Sequence, residues 1–338
     1  MSSVVQMPVA TSADWETISQ PLQPFLADVT RRLRAEVGAF DPAIANFVQY
    51  ALSNSGKQLR PMLVGLGAGG AESINNDHTT IAVTIEMVHL ATLVHDDVMD
   101  EARVRRRRPT LAANWGNEIA VLAGDCLFAQ ALQRASELPT PVICRAVARA
   151  TKNVCTGEIL QTLQRGNYEI SRDEYLKVVR MKTAELFALA CELGAELSEG
   201  DAVSREALHN YGLALGTAYQ IYDDCMDVFG SEPRAGKSLG TDLITGKPTL
   251  PILAALEELS AGEAQRLRDV VTGWKSGRTD ELHELLHQAG ALAECLRVIE
   301  ELLDDARTTA AELPANAGCD GLMALCDRLT AQAVDLVD

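Results

Sequence analysis

Aromatic residues make up only 4% of this 338-residue chain. With so few rings and an abundance of alanine and leucine, a β-rich fold is disfavoured and an all-helical one expected. No run of about 18 apolar residues is free of charge, so no transmembrane helix is expected. The N-terminus, MSSVVQMPVATSADWE, has neither the basic start nor the apolar core of a secretory signal, and a soluble, cytoplasmic protein is expected. Cysteines at CxxC spacing are missing. The eight present (Cys126, Cys144, Cys155, Cys191, Cys225, Cys295, Cys319, Cys326) are scattered, mostly in apolar helical runs, and read as reduced core residues rather than disulfides or zinc ligands. Positive charge is also short: 30 Lys and Arg face 47 Asp and Glu, for a net charge of -17. Such a surface repels a nucleic-acid backbone, so no nucleic-acid partner is expected.

What the chain does have is apolar helical periodicity, with 47% hydrophobic residues to build a core. Residues 1–20 read as a loose arm. Leu22, Phe25, Leu26, Val29 and Leu33 then recur at spacings of three and four, predicting a helix from Pro21 to Val37. Asp41-Pro42 reads as the cap and first-turn proline of the next helix. Gly56-Lys57-Gln58-Leu59-Arg60-Pro61 opens another with two cations, and helices follow at 116–135, 141–165 and 172–198. None of these segments alternates as a strand would.

The organising stretch runs from Ile81 to Thr110. Its first fifteen residues are apolar almost all round, as in a helix buried on most of its circumference. Asp96, Asp97 and Asp100 follow. On a helix the first and third share a face, with Asp97 about 100° round. Carboxylates at the inner end of a buried helix face desolvation, mutual repulsion and the negative end of the helix dipole. A bound divalent cation reverses all three penalties. Arg103, Arg105, Arg106, Arg107 and Arg108 come next, and metal ligands beside arginines suit a phosphorylated ligand whose oxygens bridge metal and guanidinium. A lone DDxxD is more often a solvated face, but this pattern occurs twice. An apolar approach of similar length leads to Asp223, Asp224 and Asp227, and beyond it GKSLGTDLITGKPT places Lys237 and Lys247 in a Gly-rich loop where they could meet phosphate oxygens. Asp304-Asp305 lacks the third carboxylate and the buried approach, and reads as surface.

GKQLRP at 56–61, His89, LVHDDVMDEARVRRRRPT at 93–110, GD at 124–125, KTA at 182–184, YQIYDDCMD at 219–227 and GKSLGTDLITGKPTLP at 236–251 together resemble the trans-isoprenyl diphosphate synthases. The likeness covers roughly residues 20–335, and implies a single domain over 21–338 behind a flexible arm. It further implies the all-α isoprenoid synthase fold, with antiparallel helices around a deep central cavity, in a homodimer. The implied reaction is head-to-tail (1'-4) condensation of isopentenyl diphosphate with an allylic diphosphate, using three Mg²⁺ per active site. By position, Asp96, Asp100 and Asp223 would ligate Mg²⁺ directly, and Asp97, Asp224 and Asp227 would complete the clusters. Arg105, Lys182 and Lys237 resemble residues that grip the allylic diphosphate, with Thr183, Gln220 and Lys247 lining the same site. Lys57, Arg60, His89 and Arg106 resemble the metal-free pocket for isopentenyl diphosphate. His89 could equally be a satisfied core histidine, and His95 could orient a carboxylate or simply pack.

The chain departs from the family pattern at Gln58, where a third basic residue is common, and at Arg107, where a glycine commonly follows the paired arginines. The growing product should run back along the organising helix, so Ala91 and Thr92, one turn before Asp96, would form a floor, with Met87 and Val88 one turn deeper. The first pair is small, and no aromatic residue occurs between Ile81 and Asn114. A product longer than twenty carbons is therefore expected. The alternatives are a short-chain farnesyl or geranylgeranyl diphosphate synthase, a non-catalytic subunit, which should have lost a triad, and a class I terpene cyclase, which would not need Lys57, Arg60 and Arg106.

Overall fold

The computed structural model describes residues 15–53, 56–231, 239–274 and 276–336. Helices α1 (Trp15–Ser19), α2 (Gln23–Ala35), α3 (Ala45–Leu52), α4 (Leu59–Gly67) and α5 (Asn76–Met99) come first. A small hairpin follows, β1 (Val104–Arg105) paired antiparallel with β2 (Arg108–Pro109). Then come α6 (Leu111–Trp115), α7 (Asn117–Ser136), α8 (Pro141–Leu163), α9 (Arg172–Val179), α10 (Glu185–Leu197) and α11 (Ala202–Phe229). The chain continues with α12 (Thr241–Ile244), α13 (Leu250–Glu258), α14 (Ala261–Thr272), α15 (Thr279–Gln288), α16 (Ala291–Ala311) and α17 (Ala317–Val334).

The expected all-α architecture is what the chain adopts. The hairpin holds the only strands among the described residues, where none was anticipated. Two further differences concern boundaries. Residues 15–20, assigned to the arm, begin a helix whose Ile18 is only 6% exposed, because its branched side chain packs into the main core. The helix predicted over 172–198 is broken into α9 and α10 by a π-helical turn at Arg180–Ala184.

Two helices frame the molecule. Asn75 caps α5 by accepting from the backbone amides of Asp77 and His78, while His78 Nδ1 accepts in return from the Asn75 amide. His78 Nε2 lies 3.0 Å from the Gly194 carbonyl, so the cap is also a tie to α10. The 28-residue α11 starts at Asp201, whose side chain accepts from the Ser204 amide. α11 lies against α10 and the π turn before it at contact distance: a Cβ on Gly212 would fall 2.5 Å from Ala188 Cα of α10, and one on Gly216 would fall 2.7 Å from Ala184 Cα of the π turn. Glycine is what lets the two backbones approach so closely. A second, smaller core of Leu267, Val270, Leu282, Leu285 and Leu286 packs beneath Val228 at the C-terminal end of α11, backing the second aspartate cluster. No helix among the described residues is long and apolar enough to cross a membrane.

Candidate active site

The first triad closes α5, as its sequence required. Asp100 caps the helix, its amide donating to the Asp96 carbonyl at 2.8 Å. Asp97, only 6% exposed, turns toward the hairpin and accepts from Arg105 Nε at 2.6 Å. Burial raises its carboxyl above the ordinary value despite Arg105. Asp96 and Asp100 share the other face. Asp100 accepts from Arg165 Nη2 at 2.6 Å and from Lys247 Nζ at 2.9 Å. Burial opposes ionisation there, but Lys247, with Lys182 and Arg165, holds this carboxyl below its usual value.

On α11 the second triad divides its labour. Asp223 stays partly exposed, whereas Asp224 and Asp227 are 4% and 2% exposed. Asp227 accepts from Thr241 Oγ1 at 3.1 Å and from the Asp242 amide at 3.0 Å, and so fixes the start of α12. Asp224 accepts from Tyr175 Oη at 2.6 Å and Gln220 Nε2 at 2.8 Å. Burial, then the nearby charge of Asp242, pushes its carboxyl up to about 8 in spite of those donors. Lys247 links the first cluster to α12, its ammonium 2.9 Å from Asp100 Oδ2 and 3.6 Å from Asp242 Oδ1, and the Asp242 amide in turn donates to Asp227.

The π turn supplies the next wall. A π turn carries one residue more than an α turn and turns its side chains off the helical register; here they are Lys182 and Thr183. Lys182 Nζ pairs with Glu158, donates to Gln161 Oε1 at 2.9 Å and lies 3.6 Å from Asp96 Oδ2. Thr183 Oγ1 donates to Gln220 Oε1 at 2.8 Å. The turn fits because α8 offers Gly157 opposite it, where a Cβ would fall 2.8 Å from the Lys182 nitrogen.

A second, cationic group sits on the far side of Arg105. Arg60 lies over the Phe187 ring at 5.1 Å, and an added Cβ on Gly56 would come within 2.4 Å of the Arg106 guanidinium. His89 stands among these charges: burial first, then Arg60, Arg106 and Arg105, holds its imidazole well below the ordinary value, so it is neutral at neutral pH. Beneath them Glu86 is buried, its carboxyl raised by burial and lowered in turn by Arg60 and Arg106. Lys57 is exposed, its ammonium 5.5 Å from the Trp15 ring. Gln58 turns away from this group and donates to Thr30 Oγ1 at 2.9 Å.

The structure thus gathers Asp96, Asp97, Asp100, Asp223, Asp224, Asp227, Arg105, Lys182, Thr183, Gln220 and Lys247 into one region, and Arg60, His89 and Arg106 into a neighbouring one. Lys237 lies outside the described residues. Of the floor residues, Met87, Val88 and Ala91 are fully buried. Thr92 is partly exposed, its hydroxyl donating to the His89 carbonyl at 2.7 Å. His95 packs on α7, with Nε2 3.0 Å from the Val121 carbonyl and 3.5 Å from Asp125 in a space that Gly124 leaves open. Asp304 is a surface residue paired with Arg307. Sequence reasoning missed Glu158, Arg165, Tyr175 and Glu86. Glu86 left a trace as a lone carboxylate in an apolar helical run; Glu158, Arg165 and Tyr175 left none.

The Polyprenyl synthetase family model matches residues 41–289. The octaprenyl diphosphate synthase of Escherichia coli (strain K12) is 32% identical over 312 residues, 92% of this chain and 96% of that protein. The nonaprenyl diphosphate synthase of Mycobacterium tuberculosis is 35% identical over 305 residues, 89% of this chain and 90% of that one. Among solved structures, a Caulobacter crescentus polyprenyl synthase complexed with calcium and isoprenyl diphosphate superposes with a TM-score of 0.87 at 32% identity, covering 95% of this chain and 98% of that chain. Two aspartate clusters at the ends of long helices, on a backbone shared nearly end to end with these relatives, leave one conclusion: the chain belongs to the polyprenyl synthetase family and is a prenyltransferase.

Proposed function

We propose that the chain condenses isopentenyl diphosphate head-to-tail (1'-4) with an allylic diphosphate, giving an all-trans polyprenyl diphosphate longer than twenty carbons. The observation that carries this reading is the pair of adjoining regions. One has Lys247 between Asp100 of α5 and Asp242 of α12, whose amide is held by Asp227 of α11; the other has Arg60, Arg106 and neutral His89. The first suits a diphosphate that must leave, the second a diphosphate that must stay. The octaprenyl and nonaprenyl names of the relatives support the longer product.

The donor set fits Mg²⁺. It is all carboxylate oxygen, which hard divalent cations prefer. Asp96, Asp100 and Asp223 would hold the ions directly, with Asp97, Asp224 and Asp227 completing the clusters. Bound Mg²⁺, three per site, would neutralise charge on the departing diphosphate. The protein's own groups do the rest. Lys182, Lys247 and Arg105 bind the allylic diphosphate, exchanging carboxylate partners for phosphate oxygens, and Lys237 joins them in that role. Lys57, Arg60, His89 and Arg106 bind the second diphosphate without activating it. Met87, Val88, Ala91 and Thr92 line the path of the tail and exclude water from the allylic cation.

A homodimer fits the exposed apolar residues of α8, where Ile159 is 61% and Leu163 76% exposed, and of α7, where Val121 and Leu122 are exposed as well. The test is incubation of the purified protein with Mg²⁺, labelled isopentenyl diphosphate and farnesyl diphosphate, with product length read by mass spectrometry. A ladder passing twenty carbons is expected. A stop at fifteen or twenty would keep the reaction and reject the long product. Cyclised farnesyl would favour the cyclase, and two bound but unreacted substrates the non-catalytic subunit.

A further inference from the structure

Asp224 points away from its companions. Asp223 and Asp227 are i and i+4 on α11, whereas Asp224 is about 100° round from Asp223 and turned toward α9 and the π turn. Each of its oxygens accepts one hydrogen bond from a side chain of the chain itself. Tyr175 Oη, on a buried ring of α9, donates to Oδ2 at 2.6 Å, and Gln220 Nε2 donates to Oδ1 at 2.8 Å. That second bond fixes the Gln220 amide with its carbonyl outward, where Thr183 Oγ1 donates to it at 2.8 Å. The result is a continuous chain, Tyr175 to Asp224 to Gln220 to Thr183, running from the core of α9 into the π turn beside Lys182. The inner link, Tyr175 to Asp224, is buried, and Gln220 and Thr183 are partly buried; such a partnered polar chain holds one geometry, because breaking its inner link strands buried polar groups.

We propose that Tyr175 is a positioning residue for the allylic diphosphate site. Acting through Asp224 and Gln220, it holds the π turn so that Thr183 and Lys182 meet the substrate together. This rests on the reading that Lys182 and Thr183 face the allylic diphosphate. Asp224 is in this view the hub of the chain, its side toward Tyr175 structural. Tyr175 touches neither substrate, so its loss acts on placement, not on the chemical groups themselves.

The test is a double-mutant cycle on the full chain with Tyr175→Phe and Thr183→Val, which remove the hydroxyls at the two ends and leave both side chains nearly isosteric. Kinetics are measured with farnesyl diphosphate and isopentenyl diphosphate, and amide hydrogen exchange is followed across residues 172–197. Tyr175→Phe should raise KM for the allylic substrate about fivefold or more, leave KM for isopentenyl diphosphate within twofold, and speed exchange at residues 180–184. The double variant should be little worse than the worse single one, because the two ends act as one unit. Effects that multiply, or a lower Tm with both KM values unchanged, would overturn the proposal. So would faster exchange confined to residues 172–179, the sign of a packing role alone. If Tyr175→Phe fails to fold, Gln220→Met cuts the same chain from within, and unchanged exchange at 180–184 in that variant refutes the idea. If the wild-type protein makes no product, the assigned reaction falls, while the exchange experiment still decides whether Tyr175 holds the turn.

Discussion

Replacing Arg107 by glycine should stabilise the protein. The two-residue turn between β1 and β2 consists of Arg106 and Arg107, with φ of 50° and 61°. Two-residue hairpins with both central φ positive are the type I′ turns that favour Asn-Gly, since a Cβ in that region clashes with its own backbone. A left-handed residue other than glycine costs roughly 1–2 kcal/mol. Glycine's greater freedom in the unfolded chain returns roughly 0.5–1 kcal/mol of that. The net gain for Arg107→Gly is therefore about 0.5–1 kcal/mol, a rise in Tm of about 1–2 °C for a chain of this size. Arg107→Val, with a branched Cβ in the same conformation, should lose stability instead. Calorimetric scans of the three proteins decide the matter. The hairpin is tied down on either side of the turn, by Arg105 on Asp97 and by Tyr50 Oη donating to the Pro109 carbonyl at 2.6 Å, so relief at the tip cannot dissipate by unpairing. A fall in Tm for Arg107→Gly, or no penalty for Arg107→Val, would refute the turn argument.

Other expectations follow from the same geometry. Gly157→Ala should cost about 1–3 kcal/mol as its methyl presses on the π turn, lowering both Tm and kcat/KM for the allylic substrate; an unchanged Tm would show that α8 can yield. Ala91→Phe should shorten the product, as read by mass spectrometry, and full-length product from a folded variant would place the floor on other helices. His78 and His89 are both held below the ordinary histidine value, chiefly by burial. On this account the unfolded chain binds more protons at these two sites below about pH 6.5, so their own contribution is complete above that pH and lost beneath it, opposite in sign to that of the raised Asp224 carboxyl; the urea midpoint of the wild type should therefore fall more between pH 7.5 and 5 than that of a His78→Asn variant, and equal falls would contradict this. If isopentenyl diphosphate binds as proposed, it would bring negative charge to His89 and raise its proton affinity, so calorimetry at pH 6.5 in buffers of different ionisation enthalpy should detect proton uptake. Buffer-independent heats would place His89 away from the ligand.

The parts of the site legible in the sequence are those that break an apolar pattern in a charged cluster. Asp96, Asp97 and Asp100 had to lie together because a helix places them so, and the arginines after them had to be near because the chain is short. The division of roles was not legible: which carboxylate faces the site and which is consumed by Arg105, Tyr175 or α12 depends on partners up to 49 residues away in sequence. The π turn was equally silent, since one extra residue in a helix changes neither composition nor propensity. Arg165 reads like any surface arginine until α8 ends beside α5, where it bonds both Asp100 and the Met99 carbonyl. Ile18 was lost to the arm because a five-residue helix has too few turns to show a period.

The glycine seam between α10 and α11 bears on how such an enzyme can change. Where backbones touch through glycine, helices cannot slide or spread without the steric clash that any larger side chain would bring, so the spacing of this wall is set like that of a cast frame. Variation in what the enzyme makes must then come from exchanging side chains on an unmoving scaffold. Lineages could trade one product for another by single substitutions, while the glycines at 212 and 216 stay closed to change.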